Sequence, residues 1–147
     1  MPGYLLDTNA ISILAPRPGK EKQTTAPTFH AWVRDHDTEL FLSTITLAEI
    51  QAGISNLECK AATRRASALS HWLNAILELY ESRILPLNAD IALATGKLLD
   101  RALAAGVAPG FEDAAIAATA QIHRLTVVTA NTRHFEPFAV PLMAPPR

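Results

Sequence analysis

The sequence predicts an α/β fold, a three-layer sandwich with helices on both faces of a short-stranded, mainly parallel sheet. Two observations carry this. Short apolar runs recur along the chain, and the segments between them repeat their apolar residues at three- and four-residue spacing. Strands alternating with helices require crossover connections, and crossovers make a parallel sheet covered on both faces.

Taken in order, Tyr4–Leu6 reads as a buried strand and Thr8–Leu14 as a helical turn. The segment 15–27 contains Pro16, Pro18 and Gly19 and reads as a loop carrying Arg17, Lys20 and Lys22. A helix over Thr28–Asp37 and a strand over Leu40–Leu42 follow. Thr46 and Glu49 stand at capping-box spacing, which predicts a helix over Thr46–Ile54. The clearest helix runs from Cys59 to Glu81, where Leu69, Trp72, Leu73, Ile76, Leu77 and Tyr80 form one stripe. Ile84–Leu87 is a third strand. Asn88 caps a helix over Ala89–Ala105, which Gly106 ends. The alanine-rich helix Phe111–Ile122 can pack closely on a sheet, Thr126–Val128 is the fourth strand, and Val140–Leu142 is a candidate fifth.

At 147 residues, 49% of them apolar and 18% charged, the chain fits one domain, since domains run to roughly 100–200 residues. Residues 1–143 are assigned to it and 144–147, sequence APPR, to a frayed tail. The formal net charge of −1 gives no global reason to bind nucleic acid or an anionic membrane, so any polyanion must be held by a local patch. The single Cys59 excludes an internal disulfide and fits a reducing compartment. No basic segment followed by a long apolar stretch opens the chain, and no run approaches the roughly 18 apolar residues that span a bilayer. A cytoplasmic location without a membrane partner is expected.

In open parallel sheets the ligand crevice lies beyond the carboxyl ends of the strands. Asp7 ends the first strand, Glu49 follows the second by a helical turn, Asp113 opens the helix after Gly110, and Asn131 lies just past the fourth strand. Each has an ordinary structural role available. Asp7 can cap the turn at Thr8, Glu49 can complete the capping box, Asp113 suits a helix N-terminus, and Asn131 suits a turn. Acids gathered at one edge repel one another unless a cation neutralises them. A hard divalent ion is the natural solution, Mg²⁺ or alternatively Mn²⁺. The five scattered histidines and single cysteine disfavour zinc. A carboxylate-held Mg²⁺ activates water and neutralises phosphoryl oxygens, so phosphodiester hydrolysis leads. Thr8, Thr129 and Asn9 suit supporting roles.

Three stretches then match a known pattern: YLLDTNAIS from Tyr4, STITLAEIQAGI around Glu49, and FEDAAIAATAQIHRLTVVTANTRHF from Phe111. Over nearly its whole length the chain resembles the PIN-domain ribonucleases, and within them the VapC-type toxins, including the FitB-like branch. The resemblance implies a PIN-like fold in which Asp7, Glu49 and Asp113 are the metal-binding acids. It implies a Mg²⁺- or Mn²⁺-dependent endoribonuclease that acts on RNA, forms a homodimer, and is held inactive by a VapB- or FitA-type antitoxin with a basic side chain in the acidic pocket. Asn131 occupies the position of a fourth acid, and His134 stands where relatives often carry Asp. Those departures keep open an alternative, a catalytically impaired PIN-fold module that binds RNA or protein. A haloacid-dehalogenase-like phosphatase with Asp7 as nucleophile is weaker, because the second Asp that it needs is Asn9.

Two basic groups can contact phosphates, Lys60 with Arg64 and Arg65, and Arg17 with Lys20 and Lys22. Trp72 belongs to an apolar stripe and is assigned to the core or a dimer interface, whereas Trp32 fits either packing or base stacking.

Overall fold

The computed structural model describes residues 2–19 and 26–147. Lys20 and Lys22 lie outside the described residues. The chain runs β1 (Tyr4–Leu6), α1 (Thr8–Ile11), α2 (Pro27–Asp35), β2 (Leu40–Ser43), α3 (Thr44–Cys59), α4 (Thr63–Tyr80), β3 (Ile84–Leu85), α5 (Ala89–Ala104), α6 (Phe111–His123), β4 (Thr126–Val128), α7 (Thr132–Phe135) and β5 (Leu142–Met143). Short 3-10 turns join several of them.

The five strands form one sheet in the order β3-β2-β1-β4-β5, and every pairing is parallel. The layered arrangement follows from strand periodicity, because successive side chains point to opposite faces. Leu5 and Val127 enter one core with α5, α6, Phe135 and Phe138. Their neighbours Leu6 and Val128 enter a second core with α2, α3, α4 and Phe29. The phenylalanines Phe29, Phe135 and Phe138 are fully buried, and each such side chain contributes about 1.5–3 kcal/mol. Helix α6 is buried from Ala114 to Ala120, where small side chains let it lie close to the sheet.

Several boundaries differ from expectation for identifiable reasons. The long helix expected over Cys59–Glu81 is two helices. Ala61 turns left-handed, Ala61 N–H donates to Glu58 O and Ala62 N–H to Leu57 O, so α3 closes in a Schellman motif and α4 starts at Thr63. Gly106 closes α5 by the same pair of bonds, Gly106 N–H to Leu103 O and Val107 N–H to Ala102 O. Prolines set two strand limits. Pro86 has no N–H to continue β3, and β5 begins at Leu142, after Pro141. The capping box is also corrected: Ser43, not Thr46, caps α3 by accepting from Ile45 N–H at 3.0 Å.

Asn88 caps α5 as expected, accepting from Ile91 N–H at 2.9 Å. Trp32 packs in an aromatic cluster with Tyr4, Phe29 and His36. Ala144–Arg147, expected to fray, line a cleft with Ile13, Ala26, Phe29 and Ala130. Among the described residues no helix is long and apolar enough to cross a membrane.

Candidate active site

Strand β1 delivers Asp7 to the carboxyl edge of the sheet, where the residue is 4% exposed. It caps α1 through Thr8 N–H, donated to Oδ1 at 2.8 Å. Its other oxygen, Oδ2, accepts from Thr129 Oγ1 at 2.9 Å and from Asn9 Nδ2 at 3.0 Å. Thr129 has one hydroxyl proton and two acceptors in reach, Asp7 Oδ2 and, at 3.3 Å, Asn9 Oδ1. The shorter contact takes the proton. Asn9 Oδ1 is satisfied instead by Ala130 N–H at 2.9 Å. The loops after β1 and β4 are thereby tied together around one carboxylate.

Glu49 reaches the same edge from α3. Thr8 Oγ1 lies 2.6 Å from Glu49 Oε1 and 3.1 Å from Thr46 Oγ1, and it gives its proton to the carboxylate. Thr46 is buried with its hydroxyl beside that of Thr8, and it does not cap the helix. Asp113 enters from the first turn of α6, half-buried, with His134 Nδ1 at 3.8 Å from its Oδ2. Asn131 is exposed. Its backbone N–H donates to Thr129 Oγ1 at 3.0 Å, which fixes the turn without tying down its amide.

The carboxylates sense one another. Burial pushes Asp7 above the ordinary carboxylate range, and the charge of Asp113 adds to this, against the hydrogen bonds from Thr129, Thr8 and Asn9. Glu49 is raised by desolvation of its carboxylate end and by Asp7 and Glu112, with the Thr8 bond opposing. Asp113 is raised by burial and by Glu49 and Glu112, with His134 opposing. Glu112 is thus a fourth acid at this edge, one that the reading of the sequence passed over. Its place beside Asp113 in the segment FED was the available signal.

The donor set is all oxygen and rich in carboxylates, which fits a hard divalent ion in charge and atom type. Among the described residues no three His, Cys, Asp or Glu side chains already gather closely enough to hold one.

The pattern that defines the PIN domain family matches residues 4–139. The chain belongs to the PIN domain family. Among relatives of this PIN domain, the plasmid stability protein StbB of Pseudomonas syringae pv. tomato is 36% identical, with 90% of each chain covered. The VapC ribonuclease Y4jK of Sinorhizobium fredii is 31% identical, with 96% of each covered, and toxin FitB of Neisseria gonorrhoeae is 34% identical, with 89% of each covered. Among solved structures, FitAcB from Neisseria gonorrhoeae superposes with a TM-score of 0.79 at 32% identity, covering 97% of each chain. The DNA-bound VapBC of Salmonella typhimurium, at 24% identity and a TM-score of 0.72, shares the fold. The PIN domain is therefore of the VapC and FitB type, and the α/β sandwich expected from the sequence is its fold.

Proposed function

We propose that this PIN domain is a Mg²⁺- or Mn²⁺-dependent endoribonuclease and the toxin of a VapBC-like toxin–antitoxin pair. The observation that carries this is the delivery of Asp7, Glu49 and Asp113 by three separate elements to one sheet edge, where burial and neighbouring acids raise each carboxyl. Support for the substrate and the biological role comes from relatives named VapC ribonuclease and toxin FitB.

In this reading Asp7, Glu49 and Asp113 hold the ion, which when bound activates water and neutralises charge at the scissile phosphate. Thr129 and Asn9 fix the Asp7 carboxylate, Thr8 fixes that of Glu49, and the Asn131 amide orients the ion or its water without adding charge. The same gathering of acids makes the edge a receptor for a basic side chain of an antitoxin. Support for a toxin–antitoxin pairing comes from a solved relative described as FitAB bound to a DNA fragment. A cytoplasmic homodimer completes the proposal.

A second reading, a PIN-fold module that binds RNA or protein without cutting, is favoured by one observation, the amide at Asn131 in place of an acid. Titration calorimetry with Mg²⁺ and Mn²⁺ separates the two. The enzyme reading predicts binding that Asp7→Ala removes, and growth arrest on expression in a bacterial host that the same substitution abolishes. Absence of both ion binding and arrest favours the module.

A further inference from the structure

His134 stands one helical turn after Asn131, and α7 fixes its backbone there. Its N–H donates to Asn131 O at 3.0 Å, and the next residue, Phe135, is fully buried and packs edge-on against Phe138. The imidazole itself is 64% exposed, with Nδ1 at 3.8 Å from Asp113 Oδ2. Both residues line a cleft of about 310 Å³ together with Gly110, Arg133 and Pro137. Among the described residues the ring makes no hydrogen bond, so Asp113 is the group that it faces.

A contact of this length is a poor ion pair. It is longer than a hydrogen bond, and exposed pairs of opposite charge contribute little to stability. A shared cation suits it better. Small divalent ions hold their ligands at about 2.0–2.1 Å, so two donors separated by less than about twice that distance can face one ion. Asp113 interacts electrostatically with Glu49 and Glu112, and Asp7 with Asp113, so the ring borders the same group of acids that would draw the ion.

Donor type then decides which ion is preferred. Mg²⁺ is held by carboxylate, carbonyl and water oxygens and gives up its waters reluctantly. Imidazole nitrogen suits ions of the first transition row, and Mn²⁺ is the member of that row that also accepts the oxygen ligands of Mg²⁺. Asn131, one turn earlier, brings an uncharged amide and so adds nothing that would restore the balance toward Mg²⁺.

We propose that His134 is a nitrogen ligand to the ion held at Asp113 and makes the site select Mn²⁺ over Mg²⁺. The proposal rests on the metal-dependent reading and deepens it, naming the preferred ion and a ligand beyond the three acids. Because the ring is exposed and unbonded, its replacement leaves the fold intact, which native circular dichroism checks.

The test is titration calorimetry of the full chain, freed of any antitoxin, with MnCl₂ and MgCl₂ as separate probes. Electron spin echo spectroscopy of the Mn²⁺-loaded protein then looks for modulation from a bonded nitrogen. The variants are His134→Ala, His134→Asp and Asp7→Ala. Wild type should bind Mn²⁺ more tightly than Mg²⁺ and show the nitrogen modulation. His134→Ala should abolish the modulation and weaken Mn²⁺ on the order of 10- to 100-fold, the loss that even supporting groups of a metal site produce. Its Mg²⁺ affinity should change by less than about threefold, since Mg²⁺ draws on oxygen. His134→Asp should also lack the modulation but tighten Mg²⁺, because it adds a charged oxygen ligand.

Nitrogen modulation that persists in His134→Ala, or a Mn²⁺ affinity that this substitution leaves unchanged, overturns the assignment. If Asp7→Ala removes Mn²⁺ binding in that case, the ion site stands and only His134 falls. If wild type binds neither ion, the metal-dependent reading falls and takes the assignment with it. If Mn²⁺ binds through His134 and the loaded protein cuts no RNA, the nuclease falls and the ligand stands.

Discussion

Thr129 donates its hydroxyl to Asp7 Oδ2 at 2.9 Å, joining residues 122 apart in the sequence across the centre of the carboxyl edge. The hydroxyl is fully buried and also accepts from Asn131 N–H, so its removal strips a partner from a carboxylate and from a backbone donor together. Thr129→Val is expected to cost about 1–3 kcal/mol of stability, measured by urea denaturation. RNA cleavage should fall by about 10- to 100-fold, as expected when the partner that orients a metal ligand is lost.

Asp7→Asn should stabilise the ion-free protein at neutral pH. The Asp7 carboxyl is raised in the folded state, so the fold binds its proton more tightly than the unfolded chain does. Stability from this group is then greatest at acid pH and falls as pH rises through the folded-state value. Asparagine removes the cost of burying the charge and retains a carbonyl to accept from Thr8 or Thr129. In chelator, Tm of the variant should exceed that of wild type at pH 7, with the gap closing as the solution is taken below the normal aspartate range, about pH 4. Thermal melts across pH check this, and a variant less stable at pH 7 would mean that the hydrogen bonds outweigh desolvation.

Asn131 is exposed, with its amide free of the hydrogen bonds that tie Asp7 and Glu49. Asn131→Asp should tighten Mn²⁺ binding, because affinity of hard ions rises with ligand charge. Asn131→Ala should lower kcat/KM far less than Asp7→Ala does. Calorimetry and cleavage rates test both. Equal loss in the two alanine variants would move Asn131 into the group that holds the ion.

Leu93 and Ile122 are 69% and 47% exposed, and both border a cleft with Lys97, Arg101 and Gln121 on the face of α5 and α6. Apolar side chains left in water beside a groove mark a contact surface. If the homodimer forms there, Leu93→Glu should convert it to a monomer in sedimentation experiments. The isolated fold should change by no more than about 0.5 kcal/mol, as for other surface substitutions. A dimer that persists in Leu93→Glu would put the interface elsewhere.

The strands and the order of helices were legible because apolar runs bounded by Pro, Gly and Asn leave few alternatives. The break between α3 and α4 was not, since Ala61 takes a left-handed conformation that alanine disfavours and that only tertiary packing enforces. Asp7, Glu49 and Asp113 were legible as acids near strand ends, and the family resemblance raised them above their capping roles. The linkage of Thr8 to both Thr46 and Glu49 was not, because contacts between side chains some forty residues apart leave no periodic trace. Trp72 was read correctly as part of the apolar stripe, but a stripe cannot say which edge of an indole lines a cleft.

The central claim, that Asp7 and Asp113 serve a metal-dependent cut, is tested most directly by incubating total cellular RNA with purified protein freed of any antitoxin. Mn²⁺, Mg²⁺ and chelator are compared, beside Asp7→Ala and Asp113→Ala. Discrete fragments that require the ion and vanish in both variants are the predicted result. Fragments that persist in chelator or in either variant, or no fragments under any condition, would contradict it.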